Sequence, residues 1–153
     1  MIKARFPKIY RRTLYSLVSV SWLSGTVFFA LSRWFMVEGP FGPMKNPWQF
    51  PVLMLHGAAA FLMIFSFGFI LASHVPITWK VKKHKVIGLA VISVISFQII
   101  SAYFLYYLSN ESLRDIVANC HAAVGLSLPI ILFVHILQAV KKRKTKQKNV
   151  NYS

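Results

Sequence analysis

Acidic residues are nearly absent from this sequence. Its 153 residues include 3 Asp or Glu against 18 Lys or Arg, and charged residues of both signs make up only 14% of the chain. Hydrophobic residues make up 56%, and the mean hydropathy is +0.56. Soluble domains carry about 25% charged residues. The scarcity of charge therefore excludes an ordinary soluble domain and indicates an integral membrane protein.

Cysteine is also scarce, since Cys120 is the only one. A single cysteine cannot form an internal disulfide, so the count indicates no redox compartment. The adjacent His121 does not turn it into a metal-binding pair, because neighbouring residues of a helix point about 100° apart.

Long apolar runs account for most of the chain, at residues 13–34, 48–75, 85–108 and 113–140. Each run reaches the ~20 residues that a helix needs to cross the hydrocarbon core. We therefore predict an all-α membrane protein, with an up-down bundle of four transmembrane helices over residues 1–140. The basic tail, residues 141–153, is predicted to be disordered beyond its first turn. The Gly- and Pro-rich segment 36–47 is predicted to lack regular structure.

Basic residues are concentrated on one side of this predicted topology. Fifteen of the 18 precede the first run, follow the fourth, or lie between the second run and Lys85, the first residue of the third, with Lys85 included. Positively charged loops stay in the cytoplasm, which predicts that both termini are cytoplasmic; we call this the inner side. Topology and contact with anionic lipids account for the positive charge, so no nucleic-acid partner is expected.

Two of the apolar runs carry a histidine near each end. His56 and His74 are 18 residues apart, and His121 and His135 are 14 apart. At 100° and 1.5 Å per residue, each pair shares one face of its helix, with axial separations of ~27 and ~21 Å. Ionisable side chains inside a membrane are rare and usually mark a cofactor, ion or proton site. We predict an inner layer, His74 with His135, and an outer layer, His56 with His121.

Two such layers suit two haems, each iron taking one axial nitrogen from each helix. The outer layer has ~6 Å of axial mismatch, which unequal tilt or a bend at Pro129 would absorb. Gly125, one turn from His121, would leave clearance for a porphyrin edge. Arg114 lies just before the fourth run and would pair with a haem propionate.

The residues around the histidines resemble a known family. Three segments are similar to the four-helix dihaem b-type cytochromes of bacterial inner membranes. They are LHGAAAFLMIFSFGFILASHVPITW at residues 55–79, SAYFLYY at 101–107, and an arginine separated by six residues from HAAVGLSLPIILFVH at 121–135. The resemblance covers about residues 48–140. It implies two haems b per chain, with the outer iron ligated by His56 and His121 and the inner iron by His74 and His135. It also implies electron transfer between a membrane quinone and a periplasmic or membrane redox protein, by an electron carrier or a component of a quinone-linked oxidoreductase.

Other interpretations stay open. The chain could be a haem-bearing anchor subunit of a larger respiratory complex or a small transition-metal permease, since imidazole also binds Zn, Cu or Ni. The histidines could also make scattered hydrogen bonds between helices. His84, among the inner lysines, could be a solvated residue, a substitute ligand of the inner site or a hydrogen-bond donor to a quinone. The sequence leaves the oligomeric state open.

Overall fold

The computed structural model describes residues 7–76 and 85–150, with only the backbone described at 85, 139 and 142–150. The helices and strands are α1 Lys8–Arg33, β1 Val37–Gly39, β2 Gly42–Met44, α2 Gln49–Ser73, α3 Lys85–Tyr107 and α4 Glu111–Val150. Each of the four helices is long and apolar enough to cross a membrane. The predicted all-α class with four spans is confirmed, and the chain is a multi-pass membrane protein. His84 lies outside the described residues.

Two compact units make up the chain, residues Met1–Val81 and Lys82–Ser153. In the first unit α1 packs against α2, and in the second α3 packs against α4. Each unit is therefore a helical hairpin formed by two consecutive helices. Large apolar side chains are exposed along all four helices, as expected for surfaces that contact lipid.

Side chains fix both ends of the first hairpin. At the inner end, the Tyr10 hydroxyl donates a hydrogen bond to the Ser66 carbonyl oxygen at 3.0 Å, and its ring lies 5.2 Å from the ring of Phe69. At the outer end, Gln49 Nε2 donates to the Leu31 carbonyl oxygen at 3.1 Å. These bonds join residues of α1 to residues of α2 and so set the register between the two helices.

The loop between α1 and α2 contains a short β-hairpin, so the prediction that this segment lacks regular structure was wrong. Strands β1 and β2 pair antiparallel, with Val37 opposite Met44 and Gly39 opposite Gly42. Gly42 has a φ of 114°, a conformation that glycine adopts without steric cost. Pro40 and Phe41 therefore form the turn between the strands, and the paired residues Gly39 and Gly42 flank it.

The second hairpin has a capped turn and a long final helix. The Asn110 side-chain oxygen accepts a hydrogen bond from the Leu113 N–H at 3.0 Å, as expected for a helix N-cap. Helix α4 then continues through Pro129 as far as Val150. The prediction that the tail is disordered beyond its first turn was wrong. Lys, Arg and Gln favour helix, and positive charge is favourable at a helix C-terminus.

Candidate functional site

The four predicted ligands lie at two depths in their own hairpins. His56 is in the second turn of α2, and His74 is the C-cap of that helix, where its N–H donates to the Ile70 carbonyl oxygen at 2.9 Å. His121 and His135 lie inside α4. All four are partly buried.

His56 is held by the first helix of its hairpin. Its Nδ1 lies 2.8 Å from the carbonyl oxygen of Ser21. A carbonyl oxygen can only accept a hydrogen bond, so Nδ1 carries the proton and donates it. The lone pair of the neutral ring is then on Nε2. This tautomer is the one in which an imidazole can ligate a metal through Nε2 while its other nitrogen is anchored.

A glycine makes this approach to α1 feasible. A Cβ added at Gly25 would lie 2.8 Å from Cε1 and 3.0 Å from Nδ1 of His56. Cβ atoms do not approach other heavy atoms that closely in folded proteins, so any larger residue at this position would displace the ring. Gly25 therefore determines how closely the imidazole can approach the Ser21 carbonyl oxygen.

His121 is held in the same way by the first helix of the second hairpin. Its Nδ1 lies 2.8 Å from Ser101 Oγ. The Ser101 hydroxyl donates its own proton to the Phe97 carbonyl oxygen at 2.7 Å, one turn back along α3. The serine oxygen is then left to accept from Nδ1–H. With the hydroxyl proton on the Phe97 carbonyl oxygen, His121 takes the tautomer of His56, with the lone pair on Nε2.

The two buried serines were missed by the sequence reasoning. Ser24 is 5% exposed and Ser101 is 3% exposed, and they are the buried polar side chains of the described residues. Ser24 donates to the Val20 carbonyl oxygen at 2.6 Å and lies 3.5 Å from His56 Nδ1. Each buried serine therefore adjoins an outer histidine. A serine inside an apolar run is a signal for contact between membrane helices, and it could have been used.

Gly125 makes room for a neighbouring side chain. A Cβ at this position would lie 2.7 Å from Gln98 Nε2. That nitrogen donates to the His121 carbonyl oxygen at 3.0 Å, so Gln98 of α3 contacts the turn of α4 that carries His121. The space at Gly125 is occupied by the Gln98 amide in this hairpin. Clearance for a porphyrin edge stays a prediction.

The inner histidines have different surroundings. A Cβ at Gly88 of α3 would lie 4.0 Å from Cε1 of His135, an ordinary van der Waals distance. In both hairpins a glycine of the first helix thus faces a histidine of the second helix. The distance from the added Cβ to the ring is short at Gly25 and ordinary at Gly88.

Arg114 lies in the first turn of α4, where its N–H donates to the Asn110 carbonyl oxygen at 2.9 Å. It precedes His121 by seven residues, which places it within about 20° of the same face and ~10 Å away along the axis. The predicted contact with a propionate is geometrically compatible with this position and stays a prediction.

The predicted layers join residues of different hairpins, so both pairings stay predictions. Among residues 7–76 and 85–150, no group of three or more His, Cys, Asp or Glu side chains that could hold a metal ion occurs. A bis-histidine iron site uses only two such side chains, so this finding does not bear on it.

No family model, curated protein or solved structure matches the chain.

Proposed function

We propose that this protein transfers electrons across a bacterial inner membrane through two bis-histidine haems b. In this proposal His56 and His121 ligate the outer iron, and His74 and His135 ligate the inner iron. The haems would supply the one-electron chemistry, and the chain would supply ligation, orientation and a shell of low dielectric constant. The observation that carries the proposal is the anchoring of both outer histidines through Nδ1.

The geometry of the outer histidines fits axial ligation. A metal-ligating histidine usually donates its second ring N–H to a carbonyl, carboxylate or hydroxyl oxygen, which fixes the tautomer and the ring plane. The distance from Nδ1 to its acceptor is 2.8 Å at both residues. In each case the acceptor belongs to the preceding helix of the same hairpin. Each hairpin thus contributes one imidazole that is held through Nδ1, which leaves Nε2 as the nitrogen that would ligate an iron.

Scattered hydrogen bonding between helices accounts less well for this arrangement. It would explain one serine near one histidine, since small polar residues commonly link membrane helices. It does not explain why each hairpin holds one outer histidine through Nδ1, at 2.8 Å from an oxygen atom of the preceding helix. A shared use for Nε2 does explain it, and a metal is the usual partner of that nitrogen inside a protein.

Electron transfer needs a donor and an acceptor, and we propose a membrane quinone and a periplasmic or membrane redox protein. The outer end of α3 carries Tyr103, Tyr106 and Tyr107, which are exposed. Their hydroxyls can donate hydrogen bonds to a quinone carbonyl oxygen. Tyrosines also settle at a membrane interface without any such partner, so this part of the proposal follows from the haem proposal and is tested after it.

The deciding experiment is an absorption spectrum of the purified protein. We expect the reduced-minus-oxidised difference spectrum to show b-type bands and the haem content to be two per chain. His121→Ala should reduce the content to one haem, because a single imidazole no longer holds the outer iron. Cys120→Ala is the matched control, since Cys120 is adjacent and exposed, and it should keep both haems.

Three outcomes would contradict the proposal. Absence of b-type bands would exclude the cytochrome function, and stoichiometric binding of Zn or Cu in its place would favour the metal permease. One haem per wild-type chain would exclude the dihaem form. Retention of two haems in His121→Ala would show that the ligand assignment is wrong.

A further inference from the structure

A concave basic surface lies at the inner end of α1. Lys8, Arg11, Arg12 and Tyr15 line a cleft of about 300 Å³. Their spacing of three, one and three residues places them on one face of the first two helical turns. We call these four residues the basic cleft. Three cationic side chains and one hydroxyl thus converge where α1 begins.

The basic cleft has no counter-charge in its own hairpin. The only acidic residue among residues 1–81 is Glu38, which lies in β1, beyond the opposite end of α1. The 26 residues of α1 separate the two by ~39 Å along the axis. At this separation an ion pair is impossible, and the interaction is screened by salt. The positive charge of the cleft must be balanced by an anion from outside the hairpin.

One hydrogen-bond donor of the cleft has no acceptor in the described part of the hairpin. Nε of Arg11 is buried and has no hydrogen-bond partner among the described residues. Buried polar groups in folded proteins almost always have a partner, and a cationic donor without one carries a large desolvation cost. An anion accepting from this guanidinium would remove that cost.

We propose that the basic cleft binds the phosphate of an anionic phospholipid headgroup. Guanidinium groups match the oxygens of phosphate in two-point hydrogen bonds, and Lys adds a mobile positive charge. Arg11 and Arg12 supply the two guanidinium groups, Lys8 the ammonium, and Tyr15 a hydroxyl donor. A phosphate carries enough acceptor oxygens to engage several of these donors at once.

The apolar surface below the cleft favours a lipid over free phosphate. Leu23 and Val27 follow Tyr15 on the same i+4 row of α1, and they are 56% and 46% exposed. Helix α1 is long and apolar enough to cross a membrane. A headgroup in the cleft would therefore have its acyl chain along this row, whereas free phosphate would gain nothing from it. This binding site is independent of the haem proposal.

Native mass spectrometry of the full-length protein in detergent tests the proposal. The probes are phosphatidylglycerol, phosphatidylcholine of the same acyl chains, and inorganic phosphate. We expect wild-type protein to retain one phosphatidylglycerol selectively over phosphatidylcholine. Arg11→Gln with Arg12→Gln should weaken this binding by at least about tenfold, because two charge-assisted hydrogen bonds are lost.

The control removes the same number of charges elsewhere. Lys45→Gln with Lys141→Gln changes two exposed residues outside the cleft and should leave the retained lipid unchanged. If the glutamine variant fails to fold, Arg11→Lys with Arg12→Lys keeps the charge and loses the two-point geometry, and it should bind a few-fold more weakly.

Three results would overturn the proposal. Equal retention by the wild type and both cleft variants would show that the cleft does not hold the lipid. An equal loss in the control would show that only net charge matters. Inorganic phosphate displacing the lipid at equal concentration would show that the acyl chain contributes nothing and that the ligand is free phosphate.

Discussion

Replacing Ser101 by alanine separates two roles that a buried serine can have beside a histidine. Ser101 Oγ accepts from His121 Nδ1 at 2.8 Å, and the serine is 3% exposed. Ser24 is 5% exposed, but His56 Nδ1 has the Ser21 carbonyl oxygen at 2.8 Å as its acceptor. Ser24→Ala is therefore a matched control, since it removes a buried hydroxyl without removing the acceptor of the histidine.

The expected magnitudes follow from this difference. Ser101→Ala leaves a buried Nδ1–H without an acceptor, which costs ~1–3 kcal/mol in folded proteins, while side-chain hydrogen bonds between membrane helices reach at most ~1.7 kcal/mol. We expect Ser101→Ala to lower the free energy of unfolding by roughly 1–2 kcal/mol more than Ser24→Ala. Loss of a group that orients a metal ligand also lowers metal affinity by about 10- to 100-fold, so outer haem should be lost from Ser101→Ala alone.

Two measurements check these values on the same preparations. Unfolding in mixed micelles, followed by circular dichroism, gives the difference in stability. The ratio of haem to protein during dilution gives the difference in haem retention. Equal destabilisation by the two substitutions would show that the hydrogen bond between His121 and Ser101 adds no stability. A stability difference without any difference in haem content would keep the hydrogen bond and refute the link to haem.

The other predictions concern the glycines and the cap. Gly25→Ala should destabilise the first hairpin by roughly 1–3 kcal/mol, because its Cβ would lie 2.8 Å from Cε1 of His56. Gly88→Ala should be neutral or stabilising, because its Cβ would lie 4.0 Å from the nearest atom of the His135 ring. Thermal unfolding should therefore show that Gly25→Ala is less stable than Gly88→Ala. The reverse order of stability would show that the His56 ring is not held against Gly25. Asn110→Ala should lower the free energy of unfolding by about 1 kcal/mol, because the hydrogen bond to the Leu113 N–H is lost. Asn110→Ser should keep most of this stability, since serine is also a good N-cap residue. Unfolding curves that do not distinguish the two variants would contradict the cap.

The positions of the spans could be predicted because they depend only on local composition. A run of apolar residues must be helical to satisfy its backbone in lipid, so hydropathy placed all four helices. The helix ends were less predictable. Helix α1 begins at Lys8, five residues before the apolar run, since the basic residues there also favour helix.

The contacts of the candidate site could not be predicted, because they depend on the register between helices. His121 meets Ser101 only because α3 and α4 pack at a particular rotation and offset, and neither quantity is set by the sequence of one helix. The same holds for Gly125, whose spacing from His121 was predicted while its neighbour Gln98 was not. A serine in an apolar run indicates that such a contact exists, but it does not identify the residue on the other helix.

The continuation of α4 to Val150 has a consequence for the electrostatics of the inner surface. The membrane-crossing part of this helix ends near Gln138, and the following 12 residues extend ~18 Å along the axis. This distance is more than twice the ~8 Å over which salt screens charge at physiological ionic strength. A flexible tail could bend its lysines back onto anionic headgroups, whereas a helical one extends as a rigid rod. The basic sequence of residues 141–148 therefore lies on a helix that extends to a distance where the membrane's own charge is largely screened.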